Sequence, residues 1–199
     1  MTVYVERNIN MIRLDKFLSE MGLGTRSEVK KLIKTGQIAI NGTVAVKPET
    51  KVDTDADEVS VNGRIVKYQR YEYYLFNKPS GCVSATCDNV HDTVMDYITD
   101  AVHDDLFPVG RLDIDTEGLL IITNDGVLSH ELLSPSKHVA KTYYARIDGE
   151  VTRDDIIRFK EGIDIGEERP TKPAELVIKK SGSVSEIELT ITEGKFHQV

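Results

Sequence analysis

Residues 13–42 read RLDKFLSEMGLGTRSEVKKLIKTGQIAING, and their pattern predicts most of the fold of the N-terminal part of the chain. Apolar residues recur from Leu14 to Met21 at the spacing of one helical face, which predicts a short helix ending near Gly22. Thr25 and Glu28 have the spacing of a capping box and predict the start of a second helix. We therefore expect two short helices in succession.

A β-hairpin is predicted directly after the second helix. Residues 38–40 alternate between apolar and small side chains, and the Asn41-Gly42 pair that follows is typical of a type I′ turn. A second pair of the same kind, Asn62-Gly63, follows another alternating run. The polar stretch 67–72 has the character of a linker, so we place a domain boundary near residue 70.

Charge is distributed unevenly along the chain. The net charge of −8 excludes a histone-like protein that holds nucleic acid by bulk positive charge. Residues 11–51 nevertheless carry eight basic against four acidic residues, which leaves −12 on residues 52–199. Basic outer faces on two adjacent short helices favour phosphate contacts over a merely solvated surface. The candidate phosphate-binding residues are Arg13, Lys16, Arg26, Lys30, Lys31 and Lys34.

Several classes of protein are excluded by what the sequence lacks. No apolar stretch approaches the roughly 18 residues of a membrane span, and residues 1–10 have no apolar core of the kind a secretory signal requires. Cys82 and Cys87 alone make neither a disulfide framework nor a zinc site, so we expect reduced thiols. These features predict a cytoplasmic protein with no membrane partner.

The second part of the chain is richer in strand patterns than the first. Strands and short helices alternate there without an internal repeat, which predicts an α+β fold with a mixed, mostly antiparallel sheet. We therefore expect a small α/β module over residues 11–69 and a larger domain over residues 70–199. The predicted strands cover residues 73–76, 119–123, 142–147, 174–179 and 185–192, and the predicted helices cover residues 127–133 and 152–159.

The densest polar segment is Gly-Arg-Leu-Asp-Ile-Asp-Thr-Glu-Gly at residues 110–118. Its acidic residues imitate the first half of a calcium loop, but the twelfth position is Asn124 where such a loop has glutamate. Arg111 and Asp113, two residues apart in an extended segment, would lie on the same side, where the cation favours an ionised carboxylate. Two interpretations remain open: a carboxylate that acts at a sugar carbon, or an Arg–Asp pair on a surface turn.

No metal or nucleotide site is predicted. The five histidines lack the spacing of a metal site, and the chain has neither a phosphate-cradling glycine loop nor the Gly-x-Ser-x-Gly elbow of serine hydrolases.

Six motifs in order closely resemble the RsuA-type bacterial ribosomal-RNA pseudouridine synthases with an N-terminal S4 RNA-binding domain. The central match is the segment 110–119, and the resemblance covers essentially everything from Met11 onward. The remaining matches are residues 13–18 together with 40–42, then 77–81, 141–143, 171–174 and 193–199.

The resemblance implies an isomerase that breaks the glycosidic bond of a uridine, turns the uracil and forms a carbon–carbon bond, without metal, nucleotide or redox cofactor. Asp113 corresponds to the essential aspartate, which acts either at the anomeric carbon or as a base at the sugar. Tyr143 corresponds to the active-site tyrosine that stacks on the extruded base. Arg111 fills the space of the flipped nucleotide or contacts its phosphate. Further RNA contacts are expected from Lys78, Lys195 and His197.

The resemblance also sets expectations for substrate and chain ends. Residues 171–174 favour one uridine of small-subunit ribosomal RNA as the substrate. We also expect the protein to be a monomer. The same reaction on large-subunit RNA, and a non-catalytic RNA-binding or ribosome-assembly protein, remain open. In the family, basic residues and a closing helix follow the position of Val199, and the first basic residue pairs with the aspartate. We therefore expect a C-terminally truncated chain, with residues 1–10 before the usual start.

Overall fold

The computed structural model describes residues 10–195 and residue 198, and the chain within it divides into two compact units. The first unit comprises the chain up to Pro108 together with Ile114–Asp125. The second comprises Val109–Asp113 and the chain from Gly126 onward. The boundary expected near residue 70 falls inside the first unit and stays a prediction about domain organisation.

The N-terminal module of the first unit is built on two helices and two small antiparallel sheets. One sheet pairs β1 with β4, and the other has the order β3-β2-β5-β6. In chain order the elements are β1 (Met11–Arg13), α1 (Leu14–Glu20), α2 (Arg26–Lys34), β2 (Ile38–Ile40), β3 (Thr43–Val44), β4 (Lys51–Asp53), β5 (Val59–Val61) and β6 (Arg64–Val66).

Both helices form where the apolar spacing predicts them. Leu14, Phe17 and Leu18 on α1 pack with Val29 and Ile33 on α2 in one core, and all five are at most 1% exposed. The predicted capping box opens α2, since the Thr25 side chain accepts from the Glu28 amide while the Glu28 carboxylate accepts from the Thr25 amide. Burial of these side chains is the main stabilising contribution to the module.

The two Asn-Gly turns have the backbone that their sequence predicts. Asn41 and Gly42 both have positive φ, at 49° and 76°, as do Asn62 and Gly63, at 50° and 78°. Positive φ at both central positions defines the type I′ hairpin, whose twist matches that of the flanking strands. Strands β1 and β4, which pair across about forty residues of chain, have no local pattern that predicts them.

A further three-stranded sheet holds the strands that flank the polar segment 110–117, whose residues up to Asp113 belong to the second unit. Its strands are β7 (Tyr73–Lys78), β8 (Phe107–Val109) and β9 (Gly118–Thr123), in the order β7-β9-β8, and β7 pairs antiparallel with β9. A 3₁₀ turn at Val94–Tyr97 lies between β7 and β8. The segment 110–117 joins two strands that are neighbours in this sheet.

The second unit contains a three-stranded antiparallel sheet with its last strand in the middle. The order is β10-β12-β11, and the apolar face of the sheet packs against the fourth helix of the chain around Leu176 and Leu189. Its elements are α3 (Gly126–Leu133), β10 (Lys141–Asp148), α4 (Arg153–Glu161), β11 (Glu175–Lys180) and β12 (Val184–Ile191).

These sheets and helices confirm the predicted α+β class with mostly antiparallel pairing. None of the helices in the described part of the chain is long and apolar enough to cross a membrane.

Replacing Asp15 by asparagine tests how the first turn of α1 is held. The buried Asp15 carboxylate accepts two hydrogen bonds from Arg13, both 2.9 Å long, and these bonds lower its pKa below 3.8. A lowered pKa means that the bond stabilises the fold above the ordinary carboxyl pKa and that this stabilisation is lost as the pH falls through the lower folded value.

We expect Asp15→Asn to lower the free energy of unfolding by about 1 kcal/mol at about pH 7, since Arg13 is half exposed, and by clearly less at about pH 3. Urea unfolding at the two pH values measures this difference. Asp92→Asn, at an exposed carboxylate, is the control. A loss from Asp15→Asn that is equally large at both pH values contradicts the assignment.

Candidate active site

The segment 110–117 leaves β8 and returns into β9 without forming a strand or helix of its own. Ile114 and Asp115 form its turn, and the side chains of Arg111, Asp113 and Asp115 are exposed. Gly110 and Gly118 at its two ends have φ of +95° and +123°, a region that glycine adopts without strain. We refer to residues 110–117 as the carboxylate loop.

A buried lysine anchors the second half of the carboxylate loop. The Lys78 side chain is 0% exposed at the end of β7, and its Nζ donates to the carbonyl oxygens of Thr116 at 2.9 Å, Pro79 at 3.1 Å and Ile114 at 3.3 Å. The Gly81 amide donates to the Ile114 oxygen as well, at 2.7 Å. A buried ammonium group requires such acceptors, so the loop backbone is fixed around it.

The prediction that Lys78 contacts RNA does not fit this placement. A contact needs an accessible ammonium group, and this one is enclosed and bonded to three carbonyls. Lys78 instead holds the backbone of the carboxylate loop, a role that was not predicted from the sequence. Strand alternation is a signal that could have revealed it, because Lys78 lies on the same face of β7 as Tyr74 and Phe76, the less exposed residues of that strand.

Tyr143 lies on β10, on the face of the sheet that packs into the core of the second unit. It is paired with Leu189 and packs against the buried cluster around Leu176, while the neighbouring Tyr144 is exposed. Burial raises the pKa of the Tyr143 phenol above 10.0, and the negative charge of Asp113 raises it further. The two side chains are thus within electrostatic reach, and the phenol is protonated at neutral pH.

The other predicted residues fall into separate groups. On α2, Arg26, Lys30, Lys31 and Lys34 are all exposed, as predicted for a phosphate-binding face. Arg13 is held by Asp15, and Lys16 lies 3.5 Å from Glu20, yet both side chains are nearly half exposed. The Lys195 ammonium donates to the carbonyl of Arg169. His197 lies outside the described residues.

Arg111 and its pairing with Asp113 stay a prediction. Arg111 is exposed and belongs to the same unit as Asp113, in a stretch without regular structure. Residues 111–113 form no regular strand or helix. For metals, no group of three or more His, Cys, Asp or Glu side chains in the described ranges could hold an ion.

Two family models match this chain. The family model for RNA pseudouridylate synthases matches residues 72–199, and the S4 domain model matches residues 12–59. The chain belongs to the RNA pseudouridylate synthase family and is an isomerase of that class, with an S4 domain at its N-terminus.

Named relatives act on RNA of both ribosomal subunits. The uncharacterised RNA pseudouridine synthase YtzG of Bacillus subtilis is 46% identical over 94% of this chain and 80% of its own length. Ribosomal small subunit pseudouridine synthase A of Haemophilus influenzae is 36% identical, over 94% and 80%. Ribosomal large subunit pseudouridine synthase B of Bacillus subtilis is 35% identical, over 95% and 78%.

The architecture also matches a solved structure. A crystal structure of a pseudouridylate synthase superposes with a TM-score of 0.60 and 34% sequence identity, covering 94% of this chain and 80% of that one.

The Lys78 anchor can be tested with the exchange rate of one amide. Lys78→Met keeps an apolar stem of similar length but leaves the Thr116, Ile114 and Pro79 carbonyls without the donor. We expect the free energy of unfolding to fall by about 2–3 kcal/mol. The Gly81 amide, which donates to Ile114, should exchange faster than in the wild type, and by more than the loss of global stability explains. Hydrogen–deuterium exchange measures it. Lys67→Met, at an exposed lysine, is the control, and unchanged Gly81 exchange in Lys78→Met contradicts the anchoring role.

Proposed function

We propose that the protein converts one uridine of small-subunit ribosomal RNA to pseudouridine, as a cytoplasmic monomer, with Asp113 as the catalytic carboxylate. One observation carries the assignment of the site. The exposed Asp113 lies in the same compact unit as the half-buried Tyr143 on β10, and its negative charge helps to raise the pKa of the Tyr143 phenol. A charged oxygen at an open surface beside an aromatic ring suits a flipped nucleoside, whose sugar meets the carboxylate while its base meets the ring.

The chemistry is an isomerisation, so its atoms balance without a co-reactant. The N1–C1′ bond of the uridine breaks, the uracil turns within the site, and a C5–C1′ bond forms. The C5 proton leaves to solvent, and N1, which has lost its bond to the sugar, takes up a proton. Substrate and product have the same composition and oxidation state, so neither oxidant nor reductant is consumed. The residues of the chain therefore have to cleave the glycosidic bond, hold the uracil and transfer a proton.

Asp113 serves bond cleavage in either of two ways. The carboxylate attacks C1′, or it removes a proton from the sugar, and in both cases it must be ionised and adjacent to the ribose. Negative charge next to the anomeric carbon also stabilises oxocarbenium-like charge as the glycosidic bond stretches. The carboxylate loop supports this role because Lys78 fixes the backbone on the C-terminal side of Asp113.

Tyr143 and Arg111 hold the nucleotide in this proposal. The Tyr143 ring stacks on the extruded uracil, and its phenol donates to the sugar because its pKa is raised. A stacking wall also retains the detached uracil until the new bond forms. Arg111, exposed at the start of the carboxylate loop, contacts the phosphate or the space left by the flipped nucleotide.

We assign RNA binding to the S4 module, which in this proposal is a domain of residues 11–69. The catalytic domain then comprises residues 70–199. Arg26, Lys30, Lys31 and Lys34 give α2 a continuous basic surface, and Arg13 and Lys16 extend the positive charge. Each phosphate that such a surface neutralises releases counterions, which gives affinity without sequence information.

The choice of ribosomal subunit rests on residues 171–174. The Lys172 amide donates to the Glu193 carboxylate at 2.6 Å, and its ammonium to the Pro135 carbonyl at 3.3 Å, so this segment has a defined place in the second unit. Large-subunit RNA is the second candidate, because the relative that acts on it is as similar to this chain as the one that acts on small-subunit RNA.

A comparison of Asp113→Asn with Asp115→Asn tests the catalytic assignment within one loop. Both carboxylates are exposed, two residues apart, so the substitutions match in chemistry and exposure. We expect Asp113→Asn to lower tritium release from RNA labelled at C5 of uridine by at least about 10³-fold, the scale seen when a nucleophile is removed, and Asp115→Asn to stay near the wild type.

The same assay identifies the target. Transcripts of small- and large-subunit RNA are supplied separately, and the pseudouridine is located by chemical modification and primer extension. Product in large-subunit RNA alone replaces the proposed substrate with the second candidate. Full activity of Asp113→Asn removes the catalytic assignment.

Tyr143→Phe, with Tyr144→Phe as its matched control, separates the hydroxyl of Tyr143 from its ring. The two tyrosines are adjacent on β10 and face opposite sides of the sheet. We expect Tyr143→Phe to lower kcat about 10- to 100-fold with little change in KM, since the stacking ring remains. Tyr144→Phe should leave both parameters unchanged. Equal effects of the two substitutions in steady-state kinetics contradict the proposed role.

A further inference from the structure

The segment between the S4 module and β7 is bonded to α1 at its start. The Tyr68 ring lies 5.3 Å from the Phe17 ring, centroid to centroid, and its hydroxyl donates to the Glu20 carboxylate at 2.8 Å. Burial and the Glu20 contact raise the pKa of Tyr68 to about 12, so the hydroxyl remains a donor at any physiological pH. The Gln69 amide donates to the Met21 sulfur at 3.3 Å. The predicted linker is thus packed onto the module.

The end of the same segment is bonded to a distant loop. Glu72 is 5% exposed, and its carboxylate accepts from the amides of Val102, at 3.1 Å, and His103, at 2.8 Å. The Glu72 amide donates to the Asn124 side chain at 3.0 Å. A buried carboxylate that accepts from two backbone amides holds its partners strongly, because removing it would leave those donors unpaired.

His103 joins the two halves of the segment. It is 8% exposed, and its Nε2 lies 2.7 Å from the carbonyl oxygen of Gln69. A carbonyl only accepts, so this nitrogen carries a proton and donates. The loop also approaches α1 closely, since a Cβ on Gly22 would lie 3.1 Å from the Val102 oxygen. Glycine at this turn, with φ of +69°, permits both the backbone and the contact.

Charge complements this packing. Lys16 and Arg26 of the module line one small polar cavity together with Asp104 and Asp105, which follow His103. Asp105 lies 3.8 Å from the His103 ring. The acidic residues thus face the basic helices at the place where the loop meets the module.

We propose that Glu72 and His103 are positioning residues for the reaction, forming a latch that holds the S4 module in one orientation relative to β7, β9 and the anchored part of the carboxylate loop. β7 begins at Tyr73, next to the latch, and ends at Lys78, which binds Ile114 and Thr116. A strand of six residues spans about 20 Å. The latch therefore fixes the position of the S4 module relative to Ile114, which directly follows Asp113 in the chain.

The consequence, which rests on the proposed function, is selection of the uridine by distance. With the module fixed, only a uridine at the matching separation from the captured RNA element reaches Asp113. With the module free, RNA bound to the module no longer brings the uridine to Asp113, so binding at the module contributes less to productive binding and KM rises.

The latch is tested first in the absence of RNA, by the distance between two spin labels. Cys87 is exposed and Cys82 is buried, so labelling takes place at Cys87 and at a second cysteine introduced by Ser27→Cys on α2. We expect one narrow distance distribution in this protein and in His91→Phe, an exposed control histidine. His103→Phe and the isosteric Glu72→Gln should both broaden it.

The outcomes are decisive without any activity measurement. A broad distribution in the unsubstituted background overturns the latch, and so does a narrow one in a folded latch variant. If His103→Phe shows no cooperative thermal transition, the variant is not folded, and the distance distribution of Glu72→Gln alone tests the latch.

Kinetics then test the consequence for the reaction. On small-subunit RNA we expect Glu72→Gln to raise KM about 10-fold or more while kcat changes little. On an RNA fragment with the target uridine but too short to reach the module, wild type and variant should agree. Equal losses on both substrates indicate general damage and contradict selection by distance. Absence of pseudouridine from the wild type would overturn the proposed function, whereas the spin-label distances would still decide whether the latch exists.

Discussion

The buried ammonium group of Lys78 is the constraint on which the candidate site depends. An ammonium group without water needs oxygen acceptors, and here the acceptors are backbone carbonyls of Pro79, Ile114 and Thr116. Because the carbonyls of Ile114 and Thr116 turn toward Lys78, the backbone around Asp113 and Asp115 is held while their carboxylates face solvent. The buried Lys78 ammonium group thereby holds the backbone next to exposed carboxylates.

Local patterns were sufficient for most of the helices and hairpins. The spacing of Leu14, Phe17 and Leu18 predicts α1, and Asn41-Gly42 predicts the turn after β2, because both depend on residues close in the chain. The pairing of β1 with β4 was not predictable in the same way, since each strand has three residues and the register is set by distant partners. Short strands carry too little alternation to identify.

The sequence names candidate residues for the site but not the geometry that relates them. Asp113 and Tyr143 follow from motifs, whereas their proximity needs the second unit to bring together positions thirty residues apart. Lys78 was misassigned because lysine is usually exposed, and its acceptors lie far along the chain. Glu72 and His103 left no local pattern at all, since a polar segment looks the same whether it is a loose tether or a bonded one.

The strand order of the second unit has a consequence for how the protein is made. β12 lies between β10 and β11 yet is the last of the three in the chain. During synthesis from the N-terminus, β10 and β11 must therefore wait for β12 before this sheet can form, whereas the helices and hairpins of the S4 module have local partners and can close early. Tyr143, which lies on β10, reaches its final environment only after β12 has been synthesised. A nascent protein can thus acquire its RNA-binding surface well before it acquires the wall of its candidate active site.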